Sequence, residues 1–209
     1  MAKKHNYITP EFQMVLAIVK NILLGTQHPL PKVNHDNTKL LHCIIKNNIS
    51  PYISQHIDKF PELESIKAPL VKRTKRVLAK DLILQADLLK IIDLASANNI
   101  YLLLFKGHPV NEMIYGNNVF RTSTDVDICI LPQDIQKLEE LLIEKGYSID
   151  RPNFEMNDKE FDTFLKIENE KSYFSPQQSC VDVHFKLFKN PLVLRLPNTQ
   201  DAYILEHSY

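Results

Sequence analysis

Residues 120–131 read FRTSTDVDICIL, which sets two aspartates, Asp125 and Asp127, at the mouth of an apolar run with the texture of a buried strand. Side chains two apart on a strand share a face, so the two carboxylates point the same way while Val126 and Ile128 anchor the run. Like charges that lose hydration together need compensation, and cations usually supply it. The spacing recurs in VDVHF, where Asp182 and His184 share one face and Val181, Val183 and Phe185 the other. If the two strands are neighbours, three carboxylates converge on one small volume. Such a set suits hard divalent cations, most naturally Mg2+, which keeps waters and takes protein carboxylates together with phosphate oxygens. Two ions held in this way can activate an attacking oxygen and neutralise a leaving one.

A phosphate cradle is normally made by backbone N–H groups at a tight turn that opens a helix. The stretch FKGHPVNEM supplies such a turn at Gly107, one of only four glycines in the chain. Lys106 beside it and Arg121, four residues before Asp125, offer cationic contacts to a triphosphate. Each piece also has a plainer meaning. An aspartate pair can cap a turn, a Lys-Gly can be a loop, and a strand histidine such as His184 is commonly a hydrogen-bonded core residue. The compound order of these pieces is what points to a site.

These residues must be positioned by the elements around them. Up to about residue 98 the pattern is helical: PEFQMVLAIVKNILLG puts Met14, Leu16, Ile18 and Ile22 on a stripe ending at Gly25, and HDNTKLLHCIIKNN offers Asp36 or Asn37 as a cap and Leu40, Leu41, Ile44 and Ile45 as a face. A short helix is expected over SPYISQHIDKF, and after Pro69 the longest helix of the chain runs to Asn98 and Asn99. The texture then changes. IYLLLFKG reads as a strand, HPVNEMIYGNN as a short helix, DVDICIL as a strand, and PQDIQKLEELLIEKG as an amphipathic helix from Pro132 to Gly146. TFLKIENEKSYFS is expected to form a hairpin turning at ENEK, and SCVDVHFKL a further strand. The expected fold is α+β: a helical region over residues 1–98, its last long helix packing on the core, followed over residues 99–209 by a mixed sheet with flanking helices.

Composition places the chain among ordinary globular proteins, with 44% hydrophobic and 24% charged residues in 209. Runs such as YLLLF are far too short to span a bilayer, and MAKKHNYITPEFQ carries no apolar segment or cleavage site of a signal peptide, so a cytoplasmic location and no membrane partner are expected. Cys43, Cys129 and Cys180 are widely spaced with no Cys-x-x-Cys pair, which argues against a disulfide framework or a zinc knuckle. The net charge is zero, yet residues 1–100 hold 14 Lys and Arg against 8 Asp and Glu, and residues 101–209 hold 11 against 17. The basic excess gathers in VKRTKRVLAK, where Lys72, Arg73, Lys75, Arg76 and Lys80 could meet the phosphates of an RNA or form a solvated helix face.

The string from FKGHPVNEMIY through FRTSTDVDICI and EKGY to VDVHF resembles the uncharacterised nucleotidyltransferase family of the polymerase-beta-like superfamily, over about residues 77–190. In that family a Lys-Gly strand end precedes an Asp-x-Asp by eighteen residues, as Gly107 precedes Asp125, and an arginine stands four before the first aspartate, as Arg121 does. Gly146-Tyr147 and VDVHF match the family's later motifs, although His108 stands where many superfamily members have serine and Phe185 where an indole is common. Relatives often continue past the point where DAYILEHSY ends, into a helical region that helps shape the acceptor site. The resemblance implies that Asp125 and Asp127 bind two Mg2+ ions, with Mn2+ as an alternative, and that Asp182 is the third carboxylate. It also implies that Lys106, Gly107, His108 and Arg121 meet the nucleotide. The expected activity is transfer of a nucleoside monophosphate from an NTP to a hydroxyl of RNA, a small molecule or a protein, with release of pyrophosphate. Asp182 would hold the second ion or act as general base, and His184 would orient Asp182. The alternative is a nucleotide-binding module that keeps the fold without turnover.

Overall fold

The computed structural model describes residues 8–115, 122–154 and 156–187. The chain forms two compact units, the first reaching to Lys80 and taking in Thr122, the second starting at Asp81 and Ser123. The division falls inside the longest helix, whereas the sequence pattern sets its boundary at that helix's end.

In the first unit, helix α1 (Pro10–Leu24) is opened by Thr9, whose side chain accepts from the Phe12 N–H, and closed by Gly25 at φ 63°. Helix α2 (Asn37–Lys46) is capped by Asp36 through the Lys39 N–H. A short α3 (Ser50–Gln55) follows, and then α4 (Glu64–Ala97). Met14, Val15 and Ile18 of α1 meet Leu40 and Ile44 of α2 and Leu70 of α4 in one core. Leu16, placed on the buried stripe by sequence, is 47% exposed, and Val15 is buried in its place. Helix α4 starts five residues before Pro69, one turn earlier than expected.

The second unit is a five-stranded mixed sheet with helices, in the order β1-β2-β5-β4-β3. Its strands are β1 (Leu102–Leu103), β2 (Asp125–Ile130), β3 (Ser148–Arg151), β4 (Glu170–Phe174) and β5 (Cys180–His184). Its helices, after the last turns of α4, are α5 (His108–Tyr115), α6 (Ile135–Glu144) and α7 (Asp158–Ile167). The central pair β2 and β5 is parallel; the others are antiparallel. One sheet face buries Val126, Ile128, Ile130, Val181 and Val183 against Leu84, Leu88 and Ile91 of α4 and Leu138 and Leu142 of α6. The mixed α+β architecture is the one expected.

One element differs. TFLKI is the end of α7, not a hairpin strand, because Asn157 and Glu160 close a reciprocal capping box that starts a helix. Phe161, Phe164 and Leu165 then recur at helical spacing and pack on the core. The hairpin is instead β4–β5, closed by the Ser175 N–H to the Ser179 carbonyl at 2.9 Å. Its turn is tied to α4: the Ser175 hydroxyl donates to Asp87 Oδ2 at 2.7 Å, and Lys90 pairs with the other oxygen at 3.1 Å. That partnership lets Asp87 stay fully buried.

Candidate active site

The site is built on the sheet face opposite the apolar core. In the parallel pairing Asp127 lies directly across from Asp182, and Asp125 across from Cys180. The neighbourhood of strands that the carboxylate argument required is therefore present. In β4, Ser172 stands opposite Asp182 and Glu170 opposite His184.

Each carboxylate has a different setting. Asp182 Oδ1 accepts a 2.6 Å hydrogen bond from the Ser172 hydroxyl. Asp127 Oδ1 receives both Lys106 Nζ and His184 Nε2 at 3.0 Å. Burial pushes the Asp127 carboxyl up, but hydrogen bonds from His184 and Lys106 outweigh it and hold the group below the usual carboxylate range. Asp125 is raised above that range, first by burial and then by the charges of Asp127 and Asp182. The Cys180 thiol beside them is pushed up to about 11, by burial and then by Asp182 and Asp125, which leaves it an inert thiol.

Sequence reasoning assigned His184 to the orientation of Asp182. The structure sets it on Asp127 instead: Nε2 reaches across to β2, Nδ1 lies 3.3 Å from Glu170 Oε2, and the edge of the ring meets Phe105 at 5.1 Å between centroids. The reason is register, since His184 is opposite Cys129, next along the same face from Asp127. Lys106 lies in an ion pair with Asp127 and over the Phe105 ring, where the sequence suggested a phosphate contact.

Gly107 has φ +67°, and a Cβ there would come 3.1 Å from the Ser123 Oγ, so conformation and close approach both call for glycine. His108, the first residue of α5, turns its ring toward α4, with Nδ1 3.2 Å from Gln85 Nε2. Its Nε2 is 3.1 Å from Asp81 Oδ1 yet off the direction of a hydrogen bond, so the proximity is electrostatic. Asp81, buried, accepts the Ser123 N–H at 3.2 Å and Gln85 at 3.3 Å. Asp81, Gln85 and Ser123 thus clamp the Gly107 turn to the start of β2. None of the three was singled out by sequence; the available signal was a carboxylate on the same helical face as Leu84 and Leu88. Arg121 lies outside the described residues.

The sequence profile of a family described as Uncharacterised nucleotidyltransferase matches residues 34–205. The chain belongs to that family. The match extends well beyond the 77–190 stretch carrying the motifs and takes in α2 through α4. Comparison with curated proteins and with solved structures found no match. In this nucleotidyltransferase family member the donor chemistry fits a hard divalent cation: three carboxylates share one face, and Asp125 is held above its usual range by burial and then by its two acidic neighbours. Among the described residues no three His, Cys, Asp or Glu side chains already stand as a ligand shell. Asp127 is paired with Lys106 and hydrogen-bonded to His184.

Proposed function

We propose that the chain transfers a nucleoside monophosphate from an NTP to an acceptor hydroxyl, with Mg2+ held by Asp125, Asp127 and Asp182. The observation that carries this reading is the crowded carboxyl of Asp125 between two acidic side chains on adjacent parallel strands. Bound ions would supply charge neutralisation at the triphosphate and at the attacking oxygen. The acceptor oxygen bonds to the α-phosphorus, the bond from that phosphorus to the bridging oxygen breaks, and pyrophosphate leaves. Asp182 takes the hydroxyl proton, with Ser172 fixing its orientation. Lys106 exchanges Asp127 for a phosphate oxygen when the nucleotide arrives, and backbone N–H groups of the Gly107 turn face the phosphates. His184 then remains as the group that orients Asp127. Among the described residues no helix is long and apolar enough to cross a membrane, and Cys43, Cys129 and Cys180 form no disulfide, in agreement with a reducing, cytoplasmic setting.

Titration calorimetry of ATP, GTP, CTP and UTP, with and without Mg2+, tests the reading on the wild type and on Asp125→Asn/Asp127→Asn. Metal-dependent binding of at least one nucleotide, lost in the variant, is expected. A folded wild type that binds none of the four overturns the proposal.

A second reading, binding without turnover, is favoured by the engagement of Asp127 with Lys106 and His184 and of His108 with α4. Asp182→Ala separates the two. Once an acceptor is found, transfer lost with nucleotide affinity kept supports catalysis, whereas no transfer by the wild type to any acceptor class supports the module.

A further inference from the structure

From Ser65 to Lys80, helix α4 carries six cations and no carboxylate. Lys67 is used within the first unit, where it pairs with Asp58 at 2.6 Å. Lys72, Arg73, Lys75, Arg76 and Lys80 are all exposed, and none makes an ion pair among the described residues. At 3.6 residues per turn the five fall within an arc of about 160°, and the buried Leu70 and Thr74 lie outside it. The pairs 72/75, 72/76, 73/76 and 76/80 are like charges at helical contact spacing, which repel and oppose the helix they sit on. Among the described residues no carboxylate answers that arrangement. An open concavity of about 520 Å³ runs along the same helix past Lys67, Val71, Lys72 and Lys75.

The complement of such a face is a dense line of negative charge. A lipid surface would need apolar anchors among the cations; the exposed hydrophobics of α4 nearest to them, Leu82 and Ile83, stand beyond Lys80, and none lies from Ser65 to Lys80. A nucleic-acid backbone needs none. The stretch from Lys72 to Lys80 is about 12 Å long, a length over which one strand offers roughly three to four phosphates. We propose that this face of α4 binds the phosphate backbone of RNA. The choice of RNA rests on the nucleotidyl-transfer reading, because an acceptor hydroxyl is carried by every ribonucleotide and marks RNA off from DNA.

The test is fluorescence anisotropy of a labelled unstructured RNA titrated with the full chain, without nucleotide or Mg2+, over a series of salt concentrations. A DNA strand of the same sequence and anionic vesicles serve as parallel probes. Three to four backbone contacts predict a log–log salt slope of about −2.5 and a loss of about thirtyfold in affinity between 50 and 200 mM salt. Arg73→Glu/Arg76→Glu should reduce the slope by about 1.4 and weaken binding by about tenfold or more. Its melting temperature should be equal or higher, since it removes repulsion. Asp125→Asn/Asp127→Asn should bind RNA as the wild type does, so a failure of the nucleotide titration leaves this result untouched. No RNA binding at low salt, binding unaffected by the double reversal, or equal or tighter binding to the DNA strand or the vesicles overturns the proposal.

Discussion

Asp125 and Asp127 are two residues apart on one strand face and stand in opposite electrostatic settings. Asp127 is hydrogen-bonded by two donors, whereas Asp125 is crowded by two carboxylates. The stability that Asp125 contributes is full below its reference value of 3.8 and is lost as pH rises through its raised folded value. Asp125→Asn should therefore melt a few degrees above the wild type at neutral pH, with the gain fading below about pH 3.8. Asp127 is the reverse case: its contribution is present above 3.8 and is lost as pH falls through its lowered value, so Asp127→Asn should melt lower at neutral pH. Differential scanning calorimetry across pH reads both signs; the same sign for the two variants would contradict the assigned settings. Gly107→Ala forces a side chain into the left-handed region and against Ser123, and should cost about 1–2 kcal/mol in denaturant unfolding. Adding Ser123→Gly should recover only the contact part of that loss, because φ is unchanged.

At the scale of elements, the sheet separates an apolar face from an acidic one, and alternation along β2, β4 and β5 does the sorting. On the apolar side of β4 one charge pair is kept: Lys171, 4% exposed, pairs with Glu139 of α6, and Tyr173 donates to the same oxygen at 2.6 Å. Burial, and then Glu139, push the Tyr173 hydroxyl well above its usual range. Glu139→Ala would strand a buried ammonium and should cost about 3 kcal/mol or more, whereas Glu139→Leu/Lys171→Met/Tyr173→Phe, which also removes the hydroxyl that donates to Glu139, should come close to neutral. Urea unfolding of the two variants measures the difference. The strand pattern alone could not reveal the pair, since Lys171 looks like an ordinary outward residue of a half-exposed strand. The misassigned TFLKI has a similar origin: five residues of mixed character fit either period, and the cap at Asn157, six residues before Thr163, decides for helix.

At the scale of the whole molecule, the helix α4 contributes to two hydrophobic cores, and a basic excess in the first hundred residues is balanced by an acidic excess in the rest, for a net charge of zero. A ligand that binds the native state alone stabilises it by mass action. Mg2+ with the preferred NTP at a hundredfold its dissociation constant should add about 2.7 kcal/mol. Hydrogen exchange should report that gain at β2 and β5, and the gain should be absent in Asp125→Asn/Asp127→Asn. Protection confined to α1 and α2 would move the nucleotide away from the carboxylates.

The sequence by itself determined which side chains share the acidic face of the sheet. Asp125 with Asp127 and Asp182 with His184 each obey a period of two, and that period survives any choice of strand order. It also determined the glycine between strand and helix, since few residues tolerate φ +67°, and the helical character of the first hundred residues. Only the tertiary structure decided which groups answer those charges. Parallel pairing in one register set Asp127 beside Asp182, turned His184 to Asp127 and left Asp182 to Ser172. Asp81 and Gln85 reached the Gly107 turn from positions 26 and 22 residues earlier in the chain, through the packing of α4. Spacing along a chain constrains side chains on one element. Partners on different elements depend on register and packing, which no local pattern encodes.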